Sequence, residues 1–93
     1  MDKTITSRAY KVFLRELKAV RRGRGFTQND LSSALSETQS FVSKCERGER
    51  RLDIIELREF CLALGTTLPK FASRLESALS LDGRKVPRIK RKD

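Results

Sequence analysis

Four polar side chains share one face of a short helical segment near the middle of the chain. Val42 and Cys45 lie on the opposite face and mark it as the buried side. The exposed face then presents Gln39, Ser40, Ser43 and Lys44. Amide, hydroxyl and ammonium groups match the donors and acceptors that base edges display in the major groove of DNA. We interpret this face as a nucleic-acid-reading surface, and the alternative is an ordinary solvated helix face.

Composition excludes several other kinds of site. The chain has 93 residues and no His, so it lacks imidazole acid/base chemistry, His-containing catalytic triads and His-ligated metal sites. Cys45 and Cys61 lie sixteen positions apart without a CxxC motif, which favours free, buried thiols over a zinc site or a disulfide scaffold. We therefore expect no enzyme activity, no cofactor and no metal.

The charge favours a polyanionic partner. Lys and Arg number 21 against 12 Asp and Glu, which gives a formal net charge of +9. Net charge indicates nonspecific attraction to polyanions but does not identify a mechanism. The basic residues of the first helical segment are interpreted as largely a solvated face, apart from those near its end. They are Arg8, Lys11, Arg15, Lys18, Arg21, Arg22 and Arg24.

A second concentration of charge lies at the end of the chain. Residues 83–93 hold six Lys or Arg and one Asp, and Pro87 does not suit a helix interior. We expect a tail that is disordered when unbound, and that either follows DNA phosphates or only adds solubility.

Hydrophobic periodicity predicts five short helices and no strand. The segments are 7–22, 28–35, 39–47, 54–64 and 68–81, with Thr27, Thr38 and Asp53 as N-caps. We expect one all-α domain over residues 1–82, a compact five-helix bundle. The residues predicted to face its core are Tyr10, Phe13, Leu14, Leu17, Val20, Leu31, Ala34, Leu35, Val42, Cys45, Ile54, Leu57, Phe60, Cys61 and Leu64.

Residues 26–51, FTQNDLSSALSETQSFVSKCERGERR, place two short helices about a tight turn. From about residue 13 to 75 the chain resembles the phage repressor and Cro class of helix-turn-helix regulators, also called XRE-like. The resemblance implies a lambda-repressor-like fold with the helix-turn-helix at about 28–47. It departs from the family pattern at Ser36, where a left-handed Gly is usual, and at Leu52 or Asp53, where a Pro is usual. The matching residues are Arg21, Thr27, Gln28, Leu31, Ala34, Ser43, Glu46, Arg47, Gly48, Leu57, Leu64 and Gly65.

The resemblance also implies residue roles. Gln28 would reach a DNA phosphate at a helix N-terminus, while Gln39 would pair with adenine and Lys44 with guanine. Arg21 and Glu46 would form an ion pair with an architectural role. The implied DNA-binding set is Gln28, Thr38, Gln39, Ser40, Phe41, Ser43, Lys44, Arg47, Arg50 and Arg51.

The last two helical segments hold more apolar residues than one small face buries. In this family they commonly form a dimer interface, which here would comprise Ile55, Leu62, Phe71, Leu75 and Leu79. The alternative is a purely intramolecular core. Two-fold symmetry would set the DNA-reading helices about one DNA turn, ~34 Å, apart on a roughly palindromic operator.

These observations predict a dimeric, sequence-specific regulator of transcription that binds double-stranded DNA, most simply a repressor. The chain shows no signal-peptide core and no stretch that would span a membrane, so we expect it in the cytoplasm with the nucleoid. We expect no effector domain after the DNA-binding unit, and we expect occupancy to depend on concentration through dimerisation. The alternatives are an antitoxin that covers a toxin and autoregulates its operon, and a nonspecific chromatin or RNA binder.

Overall fold

The computed structural model of the protein describes residues 7–81, which form five helices and, within that range, no strand. The bounds are α1 Arg8–Gly23, α2 Gln28–Leu35, α3 Gln39–Glu46, α4 Ile54–Ala63 and α5 Leu68–Leu81. The predicted segments agree with these bounds to within one residue at each end, so the all-α, five-helix prediction is confirmed. The predicted basic tail at residues 83–93 lies outside the described residues.

Side-chain caps determine where α2, α3 and α4 begin. The Thr27 hydroxyl accepts from the Asp30 N–H at 3.0 Å, and the Asp30 carboxylate accepts from the Thr27 N–H at 2.9 Å. These two hydrogen bonds hold the pKa of Asp30 below its ordinary value. Thr38 caps α3, and Asp53 forms a second capping box at α4. Such caps matter because helices of eight to ten residues are marginal without them.

The core lies where α1 packs against α3 and α5, with α2 and α4 closing the other side. The rings of Phe13 and Phe71 meet edge to face, with centroids 5.9 Å apart. Both cysteines are free and buried, and burial raises the pKa of each thiol. The core residues are Phe13, Leu14, Leu17, Leu31, Val42, Cys45, Leu52, Phe60, Cys61, Leu64 and Phe71.

Three predictions about burial are wrong. Ala34 and Ile54, predicted in the core, are exposed. They lie in the last turn of α2 and at the first residue of α4, so each stands at the end of a short helix. Phe71, predicted at a dimer interface, is only 2% exposed because its ring fills the space beside Phe13. It offers no surface to a partner.

The turn between α2 and α3 is closed by Ser36 in the left-handed conformation, with φ 57° and ψ 41°. The Ser36 N–H donates to the Ser33 carbonyl at 3.1 Å, and the Glu37 N–H donates to the Ser32 carbonyl at 2.8 Å. These bonds form a Schellman motif, which usually has Gly at the left-handed position. A side chain there costs roughly 1 kcal/mol, and the motif retains its geometry nonetheless.

Candidate nucleic-acid interface

The polar face of α3 is separated cleanly from its buried face. Val42 and Cys45 are fully buried, whereas Gln39, Ser40 and Lys44 are exposed. Thr38 caps the helix through a 3.0 Å bond from the Phe41 N–H. The predicted base-reading residues therefore lie on the solvent side of a helix whose start and inner face are both fixed.

A buried ion pair ties the end of α3 to α1. Arg21 Nε donates to Glu46 Oε2 at 2.6 Å, and Arg21 Nη2 donates to Oε1 at 3.0 Å. Their side chains are 7% and 2% exposed. Arg21 Nη1 also donates to the Phe26 carbonyl at 2.8 Å, which fixes the loop before α2. Since removing one member of such a pair strands a buried charge, the loss would cost about 3–5 kcal/mol.

Gln28 connects this ion pair to the polar face. Its Nε2 donates to Glu46 Oε1 at 3.0 Å, and its Oε1 accepts from Gln39 Nε2 at 2.7 Å. The residue predicted to reach a phosphate thus also links two positions of α3. The spacing of residues in the sequence gave no sign of this bridge, because it joins side chains on different helices.

The Arg50 guanidinium contacts three neighbouring groups of the protein. Its Nη2 donates to Glu56 Oε2 at 2.7 Å, and its Nη1 donates to Glu56 Oε1 at 3.1 Å and to the Arg51 carbonyl at 3.0 Å. Its guanidinium lies 4.8 Å from the centre of the Phe41 ring. Arg50 therefore joins α3 to the start of α4 across the loop that follows α3.

Glu56 is a site residue that sequence reasoning missed. Its Oε1 accepts from the Asp53 N–H at 3.0 Å as well as from Arg50. The Arg50 hydrogen bonds, and after them the Asp53 N–H, hold the pKa of Glu56 below its ordinary value. An acidic residue in the first turn of α4, six residues after Arg50, was the available signal.

The other predicted DNA-binding residues surround this framework. Arg47 Nη1 donates to the Ser43 hydroxyl, and its Nε donates to Glu49 Oε2 at 2.8 Å. Phe41 is half-buried, with its ring 6.3 Å from that of Phe60. Arg51 is exposed. All of the predicted set therefore lie on α3 or at its N-cap, at the N-terminus of α2, or in the loop after α3.

Among residues 7–81, no cluster of Cys, Asp and Glu side chains is suited to holding a metal ion. None of the helices there combines the length and hydropathy needed to cross a membrane.

Comparison with known proteins agrees with this geometry. Residues 17–71 match the family model described as helix-turn-helix, HTH_3. An XRE-family like protein from Pseudomonas syringae pv. tomato str. DC3000 is 44% identical, with a TM-score of 0.73 over 81% of this chain and 92% of that chain. The clp gene regulator ClgR from Corynebacterium glutamicum has the same fold at 21% identity, with a TM-score of 0.71 over 83% and 82% of the two chains. No curated protein matches the chain.

The matched residues include all of α2, the turn and α3, together with both members of the Arg21–Glu46 ion pair. Domains of this family are typically non-enzymatic. The chain belongs to the XRE-type helix-turn-helix family of DNA-binding domains.

Proposed function

We propose that this protein is a sequence-specific transcriptional repressor that binds a roughly palindromic operator as a homodimer. The observation that carries the proposal is the hydrogen-bonded series from Arg21 and Glu46 through Gln28 to Gln39, which fixes a polar helix face in one position. A helix of this kind, held on a rigid scaffold, suits direct readout of base edges in the major groove.

The residues divide into three roles. Gln39 and Lys44 contact base edges, with Ser40 and Ser43 beside them. Phosphates are bound by Arg47, by Arg51 and at the capped helix N-termini, where Gln28 and Thr38 lie. Arg50 and Phe41 shape the loop after α3, because the Arg50 guanidinium is engaged by Glu56.

The second copy in the dimer covers an apolar strip on α4 and α5. Ile55 and Leu62 are 63% and 51% exposed, and they lie seven positions apart on the outer side of α4. Leu75 and Leu79 on α5 are half-buried. An isologous contact through this strip would hide apolar surface on both copies. Occupancy of the operator in the cytoplasm would then rise with protein concentration through dimerisation.

Selection of bound duplexes from a random pool at about 150 mM salt tests the proposal. We expect one enriched palindrome with half-sites about one DNA turn apart, bound ~10³-fold or more tighter than its scrambled version. Enrichment of a single half-site would contradict the dimer. Comparable affinity for scrambled duplexes would contradict sequence-specific regulation altogether.

A further inference from the structure

The solvent side of α1 carries four basic residues in one line. Lys11, Arg15, Lys18 and Arg22 recur at intervals of four, three and four residues, which places them on one helix face. The line extends about 16 Å along the helix axis at ~1.5 Å per residue.

These residues line an open groove of about 600 Å³ between α1 and the C-terminal end of α3. Leu14 and Ala19 contribute apolar surface to it, and Glu46 and Arg47 line the side that belongs to α3. The Glu46 charge is already balanced by Arg21. The net charge of the groove is therefore strongly positive.

The fold makes little use of this charge. Within residues 7–81, the side chains of Lys11, Lys18 and Arg22 form no ion pair or hydrogen bond. Arg15 contacts Glu16 at 3.4 Å, while Glu16 is bonded more closely by Arg74, at 2.7 Å. Like charges four residues apart on a helix repel each other and disfavour folding. A line of cations that opposes folding and borders a groove indicates a ligand of opposite charge.

We infer that this groove, here termed the α1 groove, binds the phosphate backbone of duplex DNA beside the half-site that α3 contacts. The inference rests on the proposed function. Arg47 belongs both to the α1 groove and to the end of α3, so the groove is continuous with the base-reading face. The line of cations is long enough to face a few consecutive phosphates of one strand.

Binding of this kind adds affinity and salt dependence without adding sequence preference, because the phosphates are the same in every sequence. The basic face of α1 is then part of the DNA-binding surface and not only a solvated face. An acidic protein segment is the competing occupant, and the experiment separates the two.

The test compares the double variant Lys11→Ala/Lys18→Ala with Lys70→Ala, which removes an exposed lysine from α5, outside the α1 groove. Affinity for the selected operator is measured from about 50 to about 200 mM salt. We expect the double variant to bind roughly tenfold more weakly at the low end and its log–log salt slope to fall by about 2. Lys70→Ala should retain the wild-type slope.

Ethylation interference locates the contacts. Ethylation of particular phosphates beside the half-site should weaken wild-type binding and have no effect on binding by the double variant, while the preferred base sequence stays the same.

If the wild-type protein shows no preferred operator, the proposed function fails and this inference falls with it. If the wild-type protein binds its operator and the double variant keeps the wild-type slope, only the α1 groove assignment is overturned. If the double variant loses binding to a poly-glutamate peptide but keeps its DNA affinity, the assignment is also overturned, in favour of an acidic protein partner.

Discussion

The side-chain amide of Gln39 on α3 donates to the side-chain carbonyl of Gln28 on α2 at 2.7 Å. A glutamine free in solution would lose rotamer freedom on binding a base, which opposes association. Here Gln39 is already restricted in the unbound protein, and Gln28 is itself held by Glu46 at 3.0 Å. Preorganisation of this kind favours discrimination between sequences.

Gln39→Ala should relax the preference at one or two operator positions, by about 1–3 kcal/mol per position, because a bidentate contact to a base is lost. Gln28→Ala should weaken the preference at the same positions, since it releases Gln39. Competition with single-base-substituted operators measures both effects. Arg51→Ala serves as the comparison and should weaken binding to every duplex while lowering the salt slope by about 1. Equal losses on operator and scrambled DNA for Gln39→Ala would refute its assignment.

Arg50→Ala should lower operator affinity while leaving the salt slope unchanged, because Arg50 holds the loop after α3 against Glu56 and Phe41. Glu56→Ala should have the same effect through the same contact. A direct phosphate contact by Arg50 predicts the opposite pattern. The slope would fall by about 1 in Arg50→Ala, and Glu56→Ala would bind more tightly because it frees the cation.

The stability difference between wild type and Glu56→Gln should depend on pH. The folded-state pKa of Glu56 lies below its ordinary value of 4.5, so the carboxylate stabilises the fold above that value. This stabilisation is lost as the pH falls from about 4.5 through the lowered folded-state pKa, where Glu56 becomes protonated in both states. Urea unfolding at a series of pH values should show that the free energies of unfolding of the two proteins converge as the pH falls below about 4.5. A difference in free energy of unfolding that stays constant from pH 7 to pH 3 would contradict a stabilising role for the Glu56 carboxylate.

Ser36→Gly should stabilise the protein by about 0.5–1 kcal/mol. Gly adopts the left-handed conformation that the turn requires without the steric cost of a side chain, although it also gains freedom in the unfolded chain. Urea denaturation should show a higher midpoint with an unchanged m-value. Ser33→Gly, in the interior of α2, is the matched control and should destabilise the protein. A lower midpoint for Ser36→Gly would show that its side chain stabilises the turn.

Leu62→Glu should produce monomers that retain their helix content and bind the operator far more weakly, because it puts charge into the apolar strip while leaving the core intact. Leu75→Glu should also give monomers, but with some loss of stability, since Leu75 packs against the core. Sedimentation equilibrium and circular dichroism measure both properties. An unchanged dimer for Leu62→Glu would exclude this strip, and a tight complex with a different chain on co-expression would favour the antitoxin alternative.

The helices were predictable because their ends carry local signals. Thr27, Thr38 and Asp53 are caps by residue type, and periodicity defines the face that each helix buries. Contacts between helices were harder to predict from the sequence. Periodicity does not say which neighbour covers a face, which is why Phe71 was misplaced. It also does not show that Arg50 meets Glu56, because that contact depends on the path of the loop between them.

Val42 and Cys45 attach α3 to the core, whereas Ser40 and Lys44 project into solvent. Substitutions at these outward positions leave the packing intact and cost little folding free energy, so under the proposed function they would alter the DNA sequence that is bound. Duplicated copies of such a gene would diverge in target by a few substitutions within one helix. Under the proposed function, the eight residues of α3 would let binding preference evolve separately from stability.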